Sequence, residues 1–114
     1  MDYQLNEQQI MIRDLARQVA QEKIKPKAAE YDEKEEFPWE IMKLLAESDL
    51  FGIYIEEKYG GTGGGVLELA IATEELSCAC GGVAVCFAAS ALGTYPIILF
   101  GNEVQKKKYL LYKN

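Results

Sequence analysis

Three closely spaced cysteines are the first residues of this sequence that could do chemistry, because thiols bind metals and act as nucleophiles. They are Cys78, Cys80 and Cys86. A structural zinc site needs four ligands, usually cysteine pairs two to four residues apart or cysteines combined with histidine. The spacing C-x-C-x5-C offers three ligands, and on a helix the first two thiols would point about 200° apart. The pattern therefore favours three small, buried apolar side chains over a metal site.

Histidine is absent from the sequence, and only one segment is rich in glycine. The lack of histidine removes the commonest general base and every Ser-His or Cys-His nucleophilic arrangement. The glycine-rich segment is YGGTGGG, which ends at Gly65. Both the G-x-G-x-x-G motif and the P-loop fail at Val66, where the first needs glycine and the second needs lysine. We interpret this segment as a flexible connector between elements, without a phosphate site.

Composition and charge limit the class of protein. The chain has 114 residues, 49% of them hydrophobic, and a net charge of −6. These values are ordinary for one soluble globular domain, and the negative charge disfavours a nucleic-acid partner. The N-terminus is polar, without the apolar core of a secretion signal, so we expect a cytoplasmic protein with reduced thiols.

Helical signals follow one another along the chain. Asn6 and Gln9 form a capping-box pattern ahead of a helix that Pro26 should interrupt. The remaining predicted helices run from Phe37 to Gly52, from Val66 to Ala79, from Val83 to Leu92, and onward from a second cap at Asn102. No segment alternates like a strand. We predict a single all-α domain over residues 1–114, with about five or six helices in a bundle-like arrangement around a buried small-residue helix.

No charged residue occurs between Leu76 and Asn102, which is longer than the ~20 residues that cross a bilayer. Two features argue against a membrane span. The first half of the run is rich in Ala, Cys, Gly and Ser, and Gly81, Gly93 and Pro96 predict breaks that leave only short pieces. Because Val83 to Leu92 is apolar on nearly every side, we expect that helix to be central in the domain.

The order of several motifs is similar to the N-terminal helical domain of the acyl-CoA dehydrogenase family. The sequence has FPWE, then FGIYIEEKYGGTG, then ATEELS, and finally SALGTYPIILFGNEVQKKKYL, so the likeness covers essentially the whole chain. The resemblance implies a flavoenzyme with this helical domain, a middle β domain and a C-terminal helical bundle. We therefore expect the sequence to be one domain of a longer gene product, inactive and without flavin by itself.

The resemblance also implies an activity and its partners. In that family, FAD accepts a hydride from the β-carbon of an acyl-CoA thioester, while a glutamate of the C-terminal domain removes the α-proton. Electron-transferring flavoprotein accepts the electrons, and the enzyme is a homotetramer. No catalytic, FAD-binding or metal-binding residue is expected in this chain. Acyl-CoA oxidases share the domain, and an independent helical binding module is the other alternative.

The part of the site that the resemblance assigns to this chain is a wall of the acyl-chain pocket. By position, Val85, Ala88, Ala89 and Leu92 would face the acyl chain. Their spacing of i, i+3, i+4 and i+7 places them on one helical face. An alanine-rich face is equally what close packing between helices requires, so both interpretations stay open. Ala88 stands where some family members carry a larger or charged residue, which suggests a pocket open to medium or longer acyl chains.

Overall fold

The computed structural model describes residues 3–111, which form six α-helices and, among these residues, no strand. The helices are α1 (Glu7–Val19), α2 (Ala28–Lys34), α3 (Trp39–Glu47), α4 (Val66–Ala79), α5 (Gly81–Phe100) and α6 (Glu103–Tyr109). The molecule measures 42 × 34 × 21 Å, and its smallest dimension corresponds to two helix diameters. The all-α prediction is confirmed.

Both predicted capping boxes are present. The Asn6 side chain accepts a hydrogen bond from the backbone of Gln9, whose side chain accepts one from the Asn6 backbone. Asn102 and Gln105 repeat this arrangement ahead of α6. Around Pro26, α1 passes into a π-helical turn and then a 3₁₀ turn before α2 begins. Paired caps and a proline thus set these boundaries as the sequence indicates.

Helix α3 ends earlier than predicted. Its last residue is Glu47 rather than Gly52, because Asp49 adopts the left-handed conformation with φ of 62°. A separate 3₁₀ turn, Leu50–Gly52, then carries the chain into the core, where Leu50 is fully buried. The predicted end at a glycine was wrong because an aspartate takes the left-handed position instead.

The core lies where α4 packs between α1 and α5. The most completely buried side chains come from these helices, from the π-helical turn after α1, and from α3 and the segment after it. They are Ala16, Ala20, Leu45, Leu50, Ala72, Leu76 and Phe87. Outside the core, Arg17 of α1 donates two hydrogen bonds to the Glu75 carboxylate of α4, at 3.0 and 2.8 Å. This pair fixes the relative position of the two helices at their exposed edge.

Helix α5 differs from the prediction in length and in position. It is one continuous helix of 20 residues, with Gly81 at its start and Pro96 inside it. Cys80 alone breaks the chain between α4 and α5, with φ of −162° and ψ of 114°. The helix continues past the proline because Ile97 and Ile98 beyond it pack against the core. The predicted breaks at Gly93 and Pro96 are therefore wrong, whereas the break predicted at Gly81 and Gly82 is present one residue earlier, at Cys80.

The uninterrupted α5 is also less buried than expected. By length and composition it could cross a membrane, and only 22% of its most apolar stretch of 18 residues is buried within the domain. The predicted central position was wrong, because α5 lies on one side of α4. The argument that short pieces exclude a membrane span also fails, and the absence of a span stays a prediction. Most of the apolar surface of α5 is uncovered by residues 3–111.

Candidate functional site

Helix α5 has one buried stripe and one open face. The buried stripe consists of Val83, Ala84, Phe87 and Ala91. Phe87 contacts Phe51 from the segment after α3, with the ring centroids 5.2 Å apart. This stripe, with Ile97 and Ile98 further along the helix, holds α5 against the core, and the side chains on the opposite face are available for other roles.

The four residues predicted to line an acyl chain lie together on the open face. Val85 and Leu92 are 68% and 78% exposed, Ala89 is exposed and Ala88 is half-buried. A methyl group added at Gly93, next to Leu92, would meet no atom within 4 Å. The structure therefore places these residues side by side and leaves Val85, Ala89 and Leu92 uncovered by residues 3–111. Close packing within this part of the chain does not account for the alanine-rich face.

The face carries no charge, and small side chains make it shallow. Over its full 20 residues, α5 is about 30 Å long. Apolar groups placed along it would lose water contact at a gain of about 0.8 kcal/mol for each methylene. The arrangement suits an extended apolar chain or a covering element of the same protein.

One buried hydroxyl lies on α5 beyond this face. Tyr95 stacks on Tyr54 with the ring centroids 5.8 Å apart, and its hydroxyl is buried without a hydrogen-bond partner among the described residues. Burial, together with the negative charge of Glu68, raises the pKa of Tyr95, so the phenol stays protonated at neutral pH. This pair could not be predicted from the sequence, because only the tertiary fold brings the two tyrosines together.

The glycine-rich loop is a packed segment rather than a flexible connector. The amides of Gly61, Thr62 and Gly63 donate to the carbonyls of Glu56, Gly52 and Ile55 at 2.9 to 3.2 Å. A methyl group at Gly61 would overlap the Ile55 backbone. The prediction of flexibility was wrong, since the glycines allow close contact between two backbone segments.

The same loop does not fit a flavin pyrophosphate. Phosphate cradles present free backbone amides at a helix N-terminus. Here the amide of Gly65, at the start of α4, already donates to the Glu68 carboxylate at 2.9 Å. The Gln9 side chain donates to the same carboxylate at 3.2 Å, and these bonds, the one from Gly65 first, lower the pKa of Glu68. The chain's own anion thus takes the amide that a phosphate would need at this helix start.

The cysteines are less buried than predicted. Cys78 is exposed, while Cys80 and Cys86 are half-buried. Within residues 3–111, no group of three or more Cys, Asp or Glu side chains is placed to hold a metal ion. Cys80 and Cys86 instead line a cavity of about 490 Å³ between α2 and the start of α5. Sequence reasoning missed this cavity, although its acidic and aromatic lining is visible in the stretch YDEKEEFP.

Comparison with known proteins gives one consistent family. A family model described as the N-terminal domain of acyl-CoA dehydrogenase matches residues 6–112. The short-chain specific acyl-CoA dehydrogenase of Clostridium acetobutylicum is 42% identical over 112 residues, which are 97% of this chain and 30% of that protein. A probable acyl-CoA dehydrogenase of Bacillus subtilis, YngJ, is 38% identical over 111 residues, with 96% of this chain and 29% of that protein covered.

Solved structures agree with the sequence relatives. Butyryl-CoA dehydrogenase from Megasphaera elsdenii superposes with a TM-score of 0.91 at 37% identity, over 97% of this chain and 30% of that one. A chain from a structure of the electron transferring flavoprotein of Acidaminococcus fermentans, on flavin-based electron bifurcation, gives the same values. The chain thus spans about 30% of the length of the relatives it matches.

Proposed function

Because the chain belongs to the acyl-CoA dehydrogenase family and forms its N-terminal helical domain, we propose that it supplies one wall of the acyl-chain pocket of an FAD-dependent acyl-CoA dehydrogenase. The observation that carries the proposal is the open face of α5. Val85, Ala89 and Leu92 are exposed there, uncharged and uncovered by residues 3–111. An acyl chain lying along this face would bury apolar surface that the domain leaves in water.

The proposed reaction is α,β-dehydrogenation of an acyl-CoA thioester. FAD would supply the two-electron acceptor in the whole enzyme. The amides of the glycine-rich loop donate hydrogen bonds within the chain, so we place the flavin site in parts of the enzyme beyond residues 3–111. The catalytic base is proposed to lie there as well. The contribution of this domain is binding, because it holds the acyl chain and excludes water from it.

Electron-transferring flavoprotein is the proposed acceptor of the electrons, and a homotetramer is the proposed assembly. Both proposals come from the family, and the solved structure that includes an electron transferring flavoprotein in its description supports the first. A cytoplasmic location is proposed with them, because the three cysteines are free thiols.

Ala88 is proposed to set the depth of the pocket. It lies between Val85 and Leu92 on the face and is half-buried, so a larger side chain there would project over the same surface. We expect Ala88→Phe, made in the whole enzyme, to exclude about two methylenes from burial. That exclusion costs about 1.6 kcal/mol, or about fifteen-fold in kcat/KM for long acyl chains, with little effect on butyryl-CoA.

Steady-state kinetics on acyl-CoAs of four to sixteen carbons test the proposal, together with anaerobic bleaching of the flavin by each substrate. Ala88→Val should give a smaller, intermediate effect. Ser90→Phe places the same ring on α5 at a position off this face and serves as the matched control. An equal loss on all chain lengths in Ala88→Phe, or the same length-dependent loss in Ser90→Phe, would contradict the assignment of this face. A protein whose flavin no acyl-CoA bleaches would contradict the dehydrogenase itself.

A further inference from the structure

A second site lies away from the acyl-chain face, in the cavity of about 490 Å³ between α2 and α5. Its volume falls within the ~300–1,000 Å³ typical of ligand sites. One side is formed by α2 and the turn that leads to α3, and the other by the first residues of α5. The floor includes Val83 and Pro38, both buried, with Cys80 and Cys86 beside them. The floor of this α2–α5 cavity is therefore apolar.

Its rim is negatively charged, because its carboxylates outnumber the cations near them. Asp32, Glu35 and Glu36 line the cavity, and none of the lysines and arginines among residues 3–111 does. The two nearest lysines along the chain already bind other carboxylates, Lys27 to Glu40 and Lys34 to Glu30, each at 2.7 Å, and Lys34 also lies close enough to Glu36 for the two charges to interact. The N-terminus of α5 contributes about half a positive charge, which leaves the three carboxylates in excess. The cavity thus favours a cation.

Aromatic rings line the same cavity. Tyr31 and Phe37 contribute their rings, and Trp39 extends the aromatic surface, since its ring centroid lies 4.6 Å from that of Phe37. Trp39 is 74% exposed, although tryptophan is mostly buried in folded proteins. Aromatic faces attract cations through their negative quadrupole. Carboxylates and aromatic faces together fit a flat, delocalised cation better than a compact ammonium.

We propose that the α2–α5 cavity is a docking pocket for an arginine side chain carried by an apolar segment of a partner protein. A guanidinium stacks on aromatic rings and binds carboxylates through two parallel hydrogen bonds, which a lysine ammonium does not do. A protein segment is favoured over a free cation because apolar surface continues outside the cavity on the exposed ring of Trp39. Hydrophobic residues beside the arginine would cover that surface.

The test is calorimetric titration of the whole protein with the peptide acetyl-Leu-Arg-Leu-amide. We expect a Kd of about 1 mM or tighter, weakening at high salt. Replacing arginine by citrulline, which keeps the shape and removes the charge, should weaken binding about tenfold or more. The double variant Asp32→Asn, Glu36→Gln should weaken binding of the arginine peptide to a similar extent. Glu33→Gln removes one charge from the exposed side of α2 outside the cavity and should leave binding unchanged.

Three results with the peptides would overturn the proposal. The first is the absence of binding up to 5 mM peptide, which is roughly the limit of a useful site. The second is equal binding of the arginine and citrulline peptides, and the third is equal weakening in Glu33→Gln. Free argininamide separates the two sources of the cation. If it binds as tightly as the peptide, the cavity takes a small cation and not a protein segment. Circular dichroism of each variant checks that its fold is intact, and none of these outcomes depends on dehydrogenase activity.

Discussion

Glycine serves opposite purposes in two regions of this domain, the loop before α4 and helix α5. In the loop, a methyl group at Gly61 would overlap the Ile55 carbonyl, and one at Gly64 would overlap the Ile53 carbonyl. In α5, a methyl group at Gly81 or Gly93 would meet no atom within 4 Å. The loop glycines therefore allow two backbone segments to touch inside the domain, whereas the glycines of α5 leave the helix surface uncovered.

This difference separates structural roles from binding roles. A glycine that another backbone segment contacts is required for folding. A glycine within a helix that nothing contacts destabilises the helix by roughly 0.5–1 kcal/mol relative to alanine, and it leaves the surface beside it free of a side chain. Substitutions in the two regions should accordingly change stability in opposite directions.

The largest expected effect is that of Gly61→Ala. The added methyl group would overlap the Ile55 carbonyl oxygen, and the backbone must shift to accommodate it. We expect a loss of about 3 kcal/mol or more in the free energy of unfolding, measured by urea denaturation. Gly65→Ala is the control, because its methyl group would come no closer than 3.8 Å to the Glu68 carboxylate. Similar losses in both variants would show that contact with Ile55 is not the cause.

A smaller effect is expected from Glu68→Gln. The two oxygens of the Glu68 carboxylate accept from the Gly65 amide and from the Gln9 side chain, whereas glutamine has one acceptor oxygen for the two donors. We expect a loss of about 1–2 kcal/mol at pH 7. Glu74→Gln, exposed on the same helix, should leave stability unchanged.

The effect of Glu68→Gln should depend on pH in a stated direction. The hydrogen bond from Gly65 lowers the pKa of Glu68 in the folded protein. The stabilisation is therefore fully present above the unfolded pKa of about 4.3 and is lost as the pH falls through the folded-state pKa. Urea denaturation at pH 7, 5 and 3 should show the variant and the wild type converging at the lowest pH. A constant difference at all three would mean that the carboxylate charge plays no part.

Sequence reasoning succeeded where local signals fix the structure. Asn6 and Asn102 cap their helices through the predicted partners, and α4 has the predicted bounds, because these boundaries depend on residues three or four positions apart. It failed at Pro96, where packing of Ile97 and Ile98 outweighs the local cost of proline. It also failed in the loop, because no local pattern in YGGTGGG indicates that the backbone of Ile55 packs against Gly61.

The candidate site was only half predictable for a related reason. Spacing alone places Val85, Ala88, Ala89 and Leu92 on one face. The burial of that face could not be read from the sequence, since α5 is apolar on nearly every side and its periodicity does not say which side meets α4. In the fold, the buried side of α5 is the stripe that contains Phe87, and the four predicted residues lie outside that stripe. Their contact with an acyl chain stays a prediction.

The smallest expected effect, and one of opposite sign, is that of Gly93→Ala. Because nothing lies within 4 Å of the added methyl group, the substitution should bring only the higher helix propensity of alanine. We expect chain 1–114 to gain about 0.5–1 kcal/mol in the free energy of unfolding. A loss of stability would mean that a group packs on Gly93 and that the face is closed. In the whole enzyme, a gain in stability together with a lower kcat/KM for long acyl-CoAs would extend the pocket wall from Leu92 to Gly93. Unchanged kinetics would end that wall at Leu92.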